Sequence, residues 1–573
     1  MRIECSVRPD IPDGRSDTLS GRIARSAADV RARVLDVYLI DDRYDPDEAA
    51  GLLADPVTTE VTINGRARDV VDPQWTHAVE ITVKPGVTDP VAATVDTALE
   101  DLDVAFVPVR AQTARQLVFH APNLPLSRIS ALCRRLYNPL IQYASIIVRD
   151  EERSREVGTA SEERPPEDHD DAANTSLLPV VHSFPADYPR AGTPPAHTVT
   201  QIALDHMDSD QLASLNRDRL LALNSAELCA IRDFFARPDV IARREEHGLS
   251  GATDVELEML AQTWSEHCKH KIFSSQIDVD GRFAVDGLFR RCIAAVTDSL
   301  AENRDDLLSV FDDNSGVVRF DDEYAVCFKA ETHNSPSALD PYGGAITGIV
   351  GVNRDILGTG RGARPIFNTN VLCFADPACP DEEVPPSLLP PGRVLEGVHE
   401  GIVDGGNQSG IPVVAGAFLF DDSYLGKPLV FCGTGGMLPN DVDGTAGWHK
   451  GARPGDVVVM VGGRIGKDGI HGATFSSLAL DETSPTSAVQ IGDPITQKKM
   501  IDFLLEARDE GLMSSLTDNG AGGLSSSLGE MARESGGIHV DLERCPLKYE
   551  GLAPWEIWVS ESQERMSAAV PPE

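Results

Sequence analysis

Two segments near the N-terminus look like copies of one another. Residues 3–11 and 79–87 both alternate apolar and polar side chains and then turn at a basic residue followed by proline. Half-buried strands alternate in this way. The repeat predicts two small α/β units, at 1–76 and 77–150, and neither holds a cluster of catalytic residue types. We therefore interpret both units as packing or assembly elements.

The rest of the chain divides by composition. Residues 151–197 are charged and proline-rich, with too little apolar content to bury a core, which predicts a flexible linker. A helical pattern follows over 198–274. Short β-rich runs and one amphipathic helix predict an α+β domain over 275–449. A new strand at 457–461 opens a further domain over 450–573, so the predicted fold class is α+β and multidomain.

Charge and cysteine usage exclude several classes of protein. The chain has 51 basic and 90 acidic residues, a formal net charge of −39, which would repel a nucleic acid backbone. No uncharged run approaches the ~20 residues of a membrane span. The ten cysteines contain no CxxC pair, as expected of reduced thiols. We expect a soluble, cytoplasmic protein that binds neither nucleic acid nor membrane.

Acidic residues that could hold a metal ion follow several apolar runs. Glu331, Asp355 and Asp518 each come after such a run, where we predict loops. Magnesium prefers carboxylate oxygens. The three residues are therefore candidate Mg²⁺ ligands.

The surrounding residues suit phosphoryl transfer. Lys329 could neutralise a phosphate, His333 could act as acid or base, and the glycine-rich run 343–351 is predicted to be a loop whose N–H groups approach phosphates. Taken singly, each residue is more often structural. Their conjunction favours an enzyme, although the P-loop pattern is absent from the sequence.

Two histidines lie three residues apart in the segment 265–270. On a helix His267 and His270 would share one face. Zinc is one interpretation, but no further ligands stand at metal spacing. We favour catalysis or phosphate contact over a metal site.

Six sequence blocks together resemble a known enzyme family. In this order they are similar to the synthetase subunit of phosphoribosylformylglycinamidine synthase, and the N-terminal repeat resembles the family's small associated subunit, fused and duplicated. The blocks are residues 264–268, 329–337, 343–355, 490–494, 517–523 and 561–563.

The resemblance implies aminoimidazole-ribonucleotide-synthetase-like N-terminal and C-terminal domains, as one of two pseudo-symmetric copies. It implies that ATP phosphorylates the amide oxygen of formylglycinamide ribonucleotide and that ammonia displaces the phosphate, with formylglycinamidine ribonucleotide and ADP as products. A glutamine amidotransferase subunit would supply the ammonia. The second synthetase half, in cis or in trans, would complete the site, because the chain ends after the first.

The resemblance also implies residue roles. It makes His267 and His333 catalytic, with His333 as the proton acceptor. ATP would contact Lys329, His270, Gly343, Gly344 and Gly348. The ribonucleotide substrate would contact Thr332, Asn334, Ser335, Arg354, Gln490, Glu561, Ser562 and Gln563. Magnesium would be held by Glu331, Asp355 and Asp518. The sequence departs from the family pattern at His270 and Ser335, where many relatives carry Tyr and His.

Two alternatives remain open from the sequence. Aminoimidazole ribonucleotide synthetase, selenophosphate synthetase and other ATP-using relatives share the fold, although the block around His267 and the block 561–563 favour the purine enzyme. A non-catalytic assembly subunit could also have kept the fold. We disfavour this second alternative because a degenerate copy has no reason to keep the acidic and histidine positions together.

Overall fold

A computed structural model gives the fold. It describes residues 1–573 apart from those in the following positions: 25–29, 85–88, 101, 103–110, 134–135, 140, 150–177, 182, 185–197, 381–382, 386–387, 477–489, 491, 549–550 and 573. Nearly all of the linker predicted at 151–197 thus lies outside the described residues. The chain divides into two compact units, Met1–Gly192 and Thr193–Glu573.

The N-terminal unit contains one six-stranded sheet in the order β3-β1-β2-β5-β4-β6. Its strands are β1 Arg2–Val7, β2 Arg31–Leu39, β3 Thr59–Ile63, β4 His77–Val83, β5 Gln112–His120 and β6 Gln142–Val148. Its helices are α1 Gly14–Ala24, α2 Pro46–Leu53, α3 Ala67–Val71, α4 Pro90–Glu100 and α5 Leu126–Cys133. The two sequence copies therefore share a sheet instead of forming separate layers.

Antiparallel pairing of β2 with β5 joins the two copies, from Arg31 opposite His120 to Leu39 opposite Gln112. In each copy the first strand lies between the other two. A three-stranded copy alone would expose the long edges of β2 and β5, and their pairing satisfies these backbone groups.

A helical region begins the second unit. Its helices are α6 Ser209–Asp218, α7 Ser225–Phe235, α8 Pro238–Glu245, α9 Asp254–Thr263, α10 Glu266–Lys269 and α11 Lys271–Ser274. A small ladder joins β7 Gln201–Ile202 to β8 Ala252–Thr253. Thr253 and Glu256 form a capping box at the start of α9, which fixes where that helix begins.

A second six-stranded sheet follows, in the order β11-β12-β13-β16-β14-β15. Its strands are β11 Leu307–Ser309, β12 Gly316–Arg319, β13 Tyr324–Thr332, β14 Arg364–Phe374, β15 Val413–Phe420 and β16 Leu429–Pro439. Before it come the hairpin β9 Gln276–Val279 with β10 Arg282–Asp286, a π-helical turn at Phe289–Ala294 and α12 Ala295–Ala301. After it come the short strands β17 Asp441–Val442 and β18 Thr445–Ala446.

Three helices accompany this sheet: α13 Asn334–Leu339, α14 Pro341–Leu357 and α15 Pro391–Ser409. Apolar side chains of α14 and α15 pack with those of β14 and β16 in one buried cluster. Edge strand β15, in contrast, is exposed along its whole length.

The C-terminal part has a three-stranded sheet in the order β19-β21-β20. Its strands are β19 Val457–Gly462, β20 Ser515–Asp518 and β21 Arg565–Val570. Its helices are α16 Gly472–Ser476, α17 Pro494–Asp509, α18 Gly523–Ser535 and α19 Pro554–Val559. Leu357 at the end of α14 joins the core between α17 and this sheet, so helix α14 contributes to the apolar clusters of both sheets.

The α+β multidomain prediction is confirmed, but two local predictions are wrong. Residues 343–351 lie inside helix α14 and do not form a loop. The candidate metal ligands were also predicted to lie in loops. Instead, Glu331 lies in β13, Asp355 lies in α14, and Asp518 is the last residue of β20. Among the described helices, none is both long and apolar enough to cross a membrane.

The glycines explain how this run can be helical. A side chain at Gly344 would overlap the backbone of Pro336 and Ser337, and one at Gly348 would meet His333 Cβ at 3.1 Å. Glycine lowers helix propensity, yet here it lets neighbouring segments approach the helix closely. Packing with the rest of the fold therefore outweighs local preference.

Candidate active site

The three candidate metal ligands lie in one connected cluster. Lys329 Nζ is 3.1 Å from Glu331 Oε1 and 3.3 Å from Asp355 Oδ2. Asn314 Nδ2 lies 3.4 Å from Asp355 Oδ1 and donates to Asp518 Oδ1 at 3.0 Å. Strand β13, helix α14 and the end of strand β20 thus bring the carboxylates of Glu331, Asp355 and Asp518 together.

Burial and neighbouring charges shift the pKa values of the clustered carboxylates. Burial raises the pKa of Asp355 well above its usual range, and the neighbouring Glu331 and Asp518 raise it further. Desolvation also opposes ionisation of Glu331, but the Lys329 ammonium together with His267 and His333 lowers its pKa. Glu331 keeps 49% of its side-chain surface in solvent, against 12% for Asp355. The open side of the cluster is therefore at Glu331.

The donor types of this cluster suit magnesium. Within the part of the chain that the structure describes, no group of three or more His, Cys, Asp or Glu side chains is already arranged as a metal shell. The cluster nevertheless offers carboxylate oxygens, the donors that Mg²⁺ prefers, and Asp355 lacks sufficient compensating charge. The residue types fit Mg²⁺, with Lys329 now lying between two of the carboxylates.

His333 adjoins this cluster at the end of β13. Its backbone N–H donates to Val430 O at 2.8 Å, and its Nδ1 is buried without a hydrogen-bond partner. Burial lowers the pKa of His333 to about 4, although Glu331 opposes the shift. The imidazole is therefore neutral at physiological pH and has an unused ring nitrogen.

His267 and His270 do not share one helix face, the arrangement that their spacing would give on a helix. His267 is in α10, whereas His270 follows its end in the left-handed conformation, with φ 50°. Desolvation lowers the pKa of His267, and Glu331 opposes this shift. Glu331 thus acts to raise the pKa of both proposed catalytic histidines, against the effect of desolvation.

A second group of candidate residues forms a buried hydrogen-bond network. Gln490 Nε2 donates to Glu561 Oε2 at 2.5 Å, and Gln563 Nε2 donates to Gln490 Oε1 at 2.8 Å. Ser562 points elsewhere, since its Oγ accepts from Gly466 N at 2.9 Å. Glu561 and Ser562 are almost fully buried, so their side chains contact other parts of the protein and not the solvent.

Arg354 connects the two groups. Its Nη1 lies 3.2 Å from Glu564 Oε1, while its Nε lies 3.9 Å from Asp518 Oδ2. That Nε is buried and has no hydrogen-bond partner. Glu564 in turn accepts from Asp493 N at 2.8 Å, three residues after Gln490.

The remaining candidates surround these groups. Thr332 is exposed at the end of β13. Asn334 Oδ1 accepts from Val430 N at 2.8 Å, and Ser335 Oγ donates to Ser476 O at 3.2 Å. A side chain at Gly343 would come within 3.5 Å of Gln490 O. The helix glycines therefore lie beside the site, but they are buried in α14 and do not form an open phosphate cradle.

Several residues that complete the site were missed from the sequence. Asn314 joins two carboxylates, Gln262 donates to Glu561 at 2.9 Å, and Lys450 pairs with Asp313 at 2.5 Å. Polar residues outside the motif blocks carry no periodic signal. The acidic run before Asn314 in the sequence was the one local hint.

Comparison with protein families assigns four parts of the chain. Residues 76–150 match the PurS family, phosphoribosylformylglycinamidine (FGAM) synthase. Residues 212–271 match the formylglycinamide ribonucleotide amidotransferase linker domain. Residues 312–438 and 453–573 match the N-terminal and C-terminal domains of AIR synthase related proteins.

Curated relatives give the same assignment. Phosphoribosylformylglycinamidine synthase subunit PurL of Thermoplasma acidophilum is 38% identical over 375 residues, which are 65% of this chain and 45% of the relative. The PurL subunit of Thermotoga maritima is 37% identical over 325 residues, covering 56% and 46%. A solved structure of T. maritima PurL complexed with FGAR has 36% identity and a TM-score of 0.43, covering 58% of this chain and 47% of that one.

The chain spans about half the length of the curated relatives it matches. Along the chain, the family matches follow one another in the order expected from the N-terminal repeat and the motif blocks. The chain is therefore similar to the PurS family, to the amidotransferase linker domain and to both domains of AIR synthase related proteins, and over 56–65% of its length it is similar to PurL subunits of phosphoribosylformylglycinamidine synthase.

Proposed function

We propose that this chain carries the catalytic residues for ATP-dependent amidation of formylglycinamide ribonucleotide in purine biosynthesis. The amide oxygen takes the γ-phosphoryl group of ATP and ADP leaves. Ammonia then attacks the carbon of this amide group, phosphate leaves with the former amide oxygen, and formylglycinamidine ribonucleotide results. The observation that carries the proposal is the convergence of Lys329, Glu331, Asp355 and Asp518 beside a neutral His333.

Each group has a role in this reaction. Glu331, Asp355 and Asp518 would hold Mg²⁺, which supplies charge neutralisation for the transferred phosphoryl group. Lys329 would then turn from its carboxylate partners towards ATP. Neutral His333 would accept a proton when ammonia attacks, and His267, which also interacts with Glu331, would be the second catalytic histidine.

Gln490, Gln563 and Arg354 are proposed to contact the ribonucleotide, together with Thr332, Asn334 and Ser335. Glu561 would hold Gln490 in this substrate region, and Ser562, which accepts from Gly466 N, would adjoin it. Gly343, Gly344, Gly348 and His270 lie at the proposed ATP side. The contact of Arg354 with both Asp518 and Glu564 supports this proposal, because Arg354 is a proposed substrate residue and Asp518 a proposed metal ligand.

Ammonia is proposed to come from a glutamine amidotransferase subunit. Hydrolysis of glutamine by this chain would need a reactive thiolate. Cys268 lies beside His267, but burial raises its pKa, as it does for Cys432 near His333, to about 12. These thiols are therefore poor nucleophiles. Separately, the PurS-like unit would serve assembly with the amidotransferase partner in the cytoplasm.

We further propose that a second synthetase half, in cis or in trans, covers the exposed apolar surface of the β11–β16 sheet. Along β15, Val414, Leu419 and Phe420 are each more than half exposed, and Phe328 on β13 is 46% exposed. An unpaired apolar edge of this length is a site for association. The variant Leu419→Asp should abolish any gain in ATP turnover on adding that half, and an unchanged gain would contradict the assignment of this surface.

The reaction itself is tested by ADP release with formylglycinamide ribonucleotide and ammonium. Wild type should release ADP only when both are present, and His333→Ala should lower the rate at least about 100-fold. His206→Ala, at an exposed position, is the matched control and should retain the wild-type rate. Equal rates in wild type and His333→Ala would refute the catalytic role.

A further inference from the structure

Gln262 is a fully engaged, buried glutamine of the linker helix α9. Its Nε2 donates to Glu561 Oε1 at 2.9 Å, across 299 positions of sequence. Its Oε1 accepts from Thr474 Oγ1 at 3.3 Å. Only 2% of its surface is exposed, so both ends of the amide are used within the protein.

The Glu561 carboxylate is the shared acceptor of three segments. Gln262 and the backbone N–H of Gly522 donate to Oε1, the latter at 3.2 Å, and Gln490 donates to Oε2. A buried carboxylate is costly unless donors satisfy it. Removing one donor should therefore displace the carboxylate and, with it, the other two segments.

Helix α9 makes a second polar contact one turn earlier. Glu258 Oε2 lies 2.8 Å from His471 Nε2, and Glu258 Oε1 accepts from Arg219 Nη1 at 3.1 Å. Residues four apart lie on the same helix face, so Glu258 and Gln262 both meet the 471–474 segment. This doubly held helix runs into the short helix that carries His267, five residues after Gln262.

We propose that Gln262 is a positioning residue that sets the proposed catalytic histidine His267 and the proposed substrate group of Gln490 and Gln563 in one fixed relation. The inference rests on the proposed function. The amide is the required group because it donates to Glu561 with one end and accepts from Thr474 with the other. Methionine keeps the length without either bond, and glutamate would place a second carboxylate against Glu561.

Steady-state kinetics test this role in the full chain. Gln262→Met should raise the KM for formylglycinamide ribonucleotide at least tenfold while the thermal midpoint stays within a few degrees. Gln262→Glu should be as impaired at pH 8 but recover below about pH 6, because facing carboxylates share a proton. Gln276→Met, at an exposed position of β9, should behave as wild type.

Hydrogen exchange gives a readout that needs no substrate. Gln262→Met should accelerate amide exchange in residues 520–526, where Gly522 N donates to Glu561, and leave the N-terminal unit unchanged.

The outcomes separate the two proposals. Turnover by wild type together with a wild-type KM in Gln262→Met would overturn the positioning role and leave the proposed function standing. If wild type shows no turnover, the proposed function fails, and unchanged exchange at 520–526 would then overturn the role of Gln262. Should Gln262→Met fail to fold, a Gln262→Glu pH profile identical to that of wild type would overturn it.

Discussion

Asn314 Nδ2 donates to Asp518 Oδ1 at 3.0 Å and thereby joins the two AIR synthase related domains at their acidic cluster. The same nitrogen lies 3.4 Å from Asp355 Oδ1. A neutral amide between two carboxylates lets them approach without adding charge, and it leaves their Oδ2 atoms facing the cationic groups of Lys329 and Arg354.

Asn314→Ala should weaken binding of a magnesium–ATP analogue by about 10- to 150-fold, since a hydrogen bond to a charged group contributes roughly 1.5–3 kcal/mol. Calorimetric titration measures the affinity. Asn303→Ala, at an exposed position, is the control and should bind as wild type. Unchanged affinity in Asn314→Ala would mean that the two carboxylates are held without this residue.

Asp355→Asn should stabilise the protein in the absence of magnesium and weaken magnesium–nucleotide binding. The pKa of Asp355 is raised by burial and by neighbouring carboxylates, so the folded state opposes the ionised form at neutral pH. Asparagine removes that cost, and we expect a gain of roughly 1–2 kcal/mol in unfolding free energy. Denaturant unfolding with and without Mg²⁺ checks it. Exposed Asp502→Asn should show neither effect, and a destabilised Asp355→Asn would contradict the electrostatic account.

His333 should make stability depend on pH. Its pKa in the folded state is about 4, below the value of an unfolded histidine, so the unfolded chain binds more protons in this range. Stability from the neutral imidazole is therefore complete above about pH 6.5 and is lost as the pH falls towards 4, by up to about 3 kcal/mol. In His333→Gln this part of the acid dependence should disappear. Parallel unfolding curves for both proteins across that range would refute it.

Gly348→Ala should impair activity despite improving helix propensity. The added Cβ would lie 3.1 Å from His333 Cβ and 3.2 Å from Cys432 Sγ, so the histidine must move, and we expect at least a tenfold loss of ADP release. Gly529→Ala in helix α18 is a matched control, because a Cβ there meets nothing within 4 Å. That variant should keep its activity and gain about 0.5–1 kcal/mol of stability. Equal activity in both variants would show that His333 tolerates the displacement.

Motif and pattern predicted much of this protein. The α+β class follows from composition and periodicity, and strands β13 to β16 and helix α15 coincide with patterned segments. The residues of the acidic cluster were identified individually, because carboxylates beside apolar runs are unusual enough to stand out. Their roles as metal ligands remain predictions.

Local pattern failed where long-range packing decides. The run 343–351 contains four glycines and was predicted to be a loop, but tertiary contacts hold it in α14. The N-terminal copies were predicted as two α/β units, but the register between β2 and β5 that joins them in a single sheet was not predicted. Neither outcome can be judged from the segment itself, because the partner surface lies far away in sequence.

The sequence by itself determined the fold class, the internal repeat and the chemical types available at the site. Only the tertiary structure decided which of these groups meet: Asn314 with Asp518, and Gln262 with Glu561. The physical reason is that a periodic pattern reports which face of an element is buried, whereas hydrogen bonds between buried polar groups depend on positions and orientations that the whole fold sets.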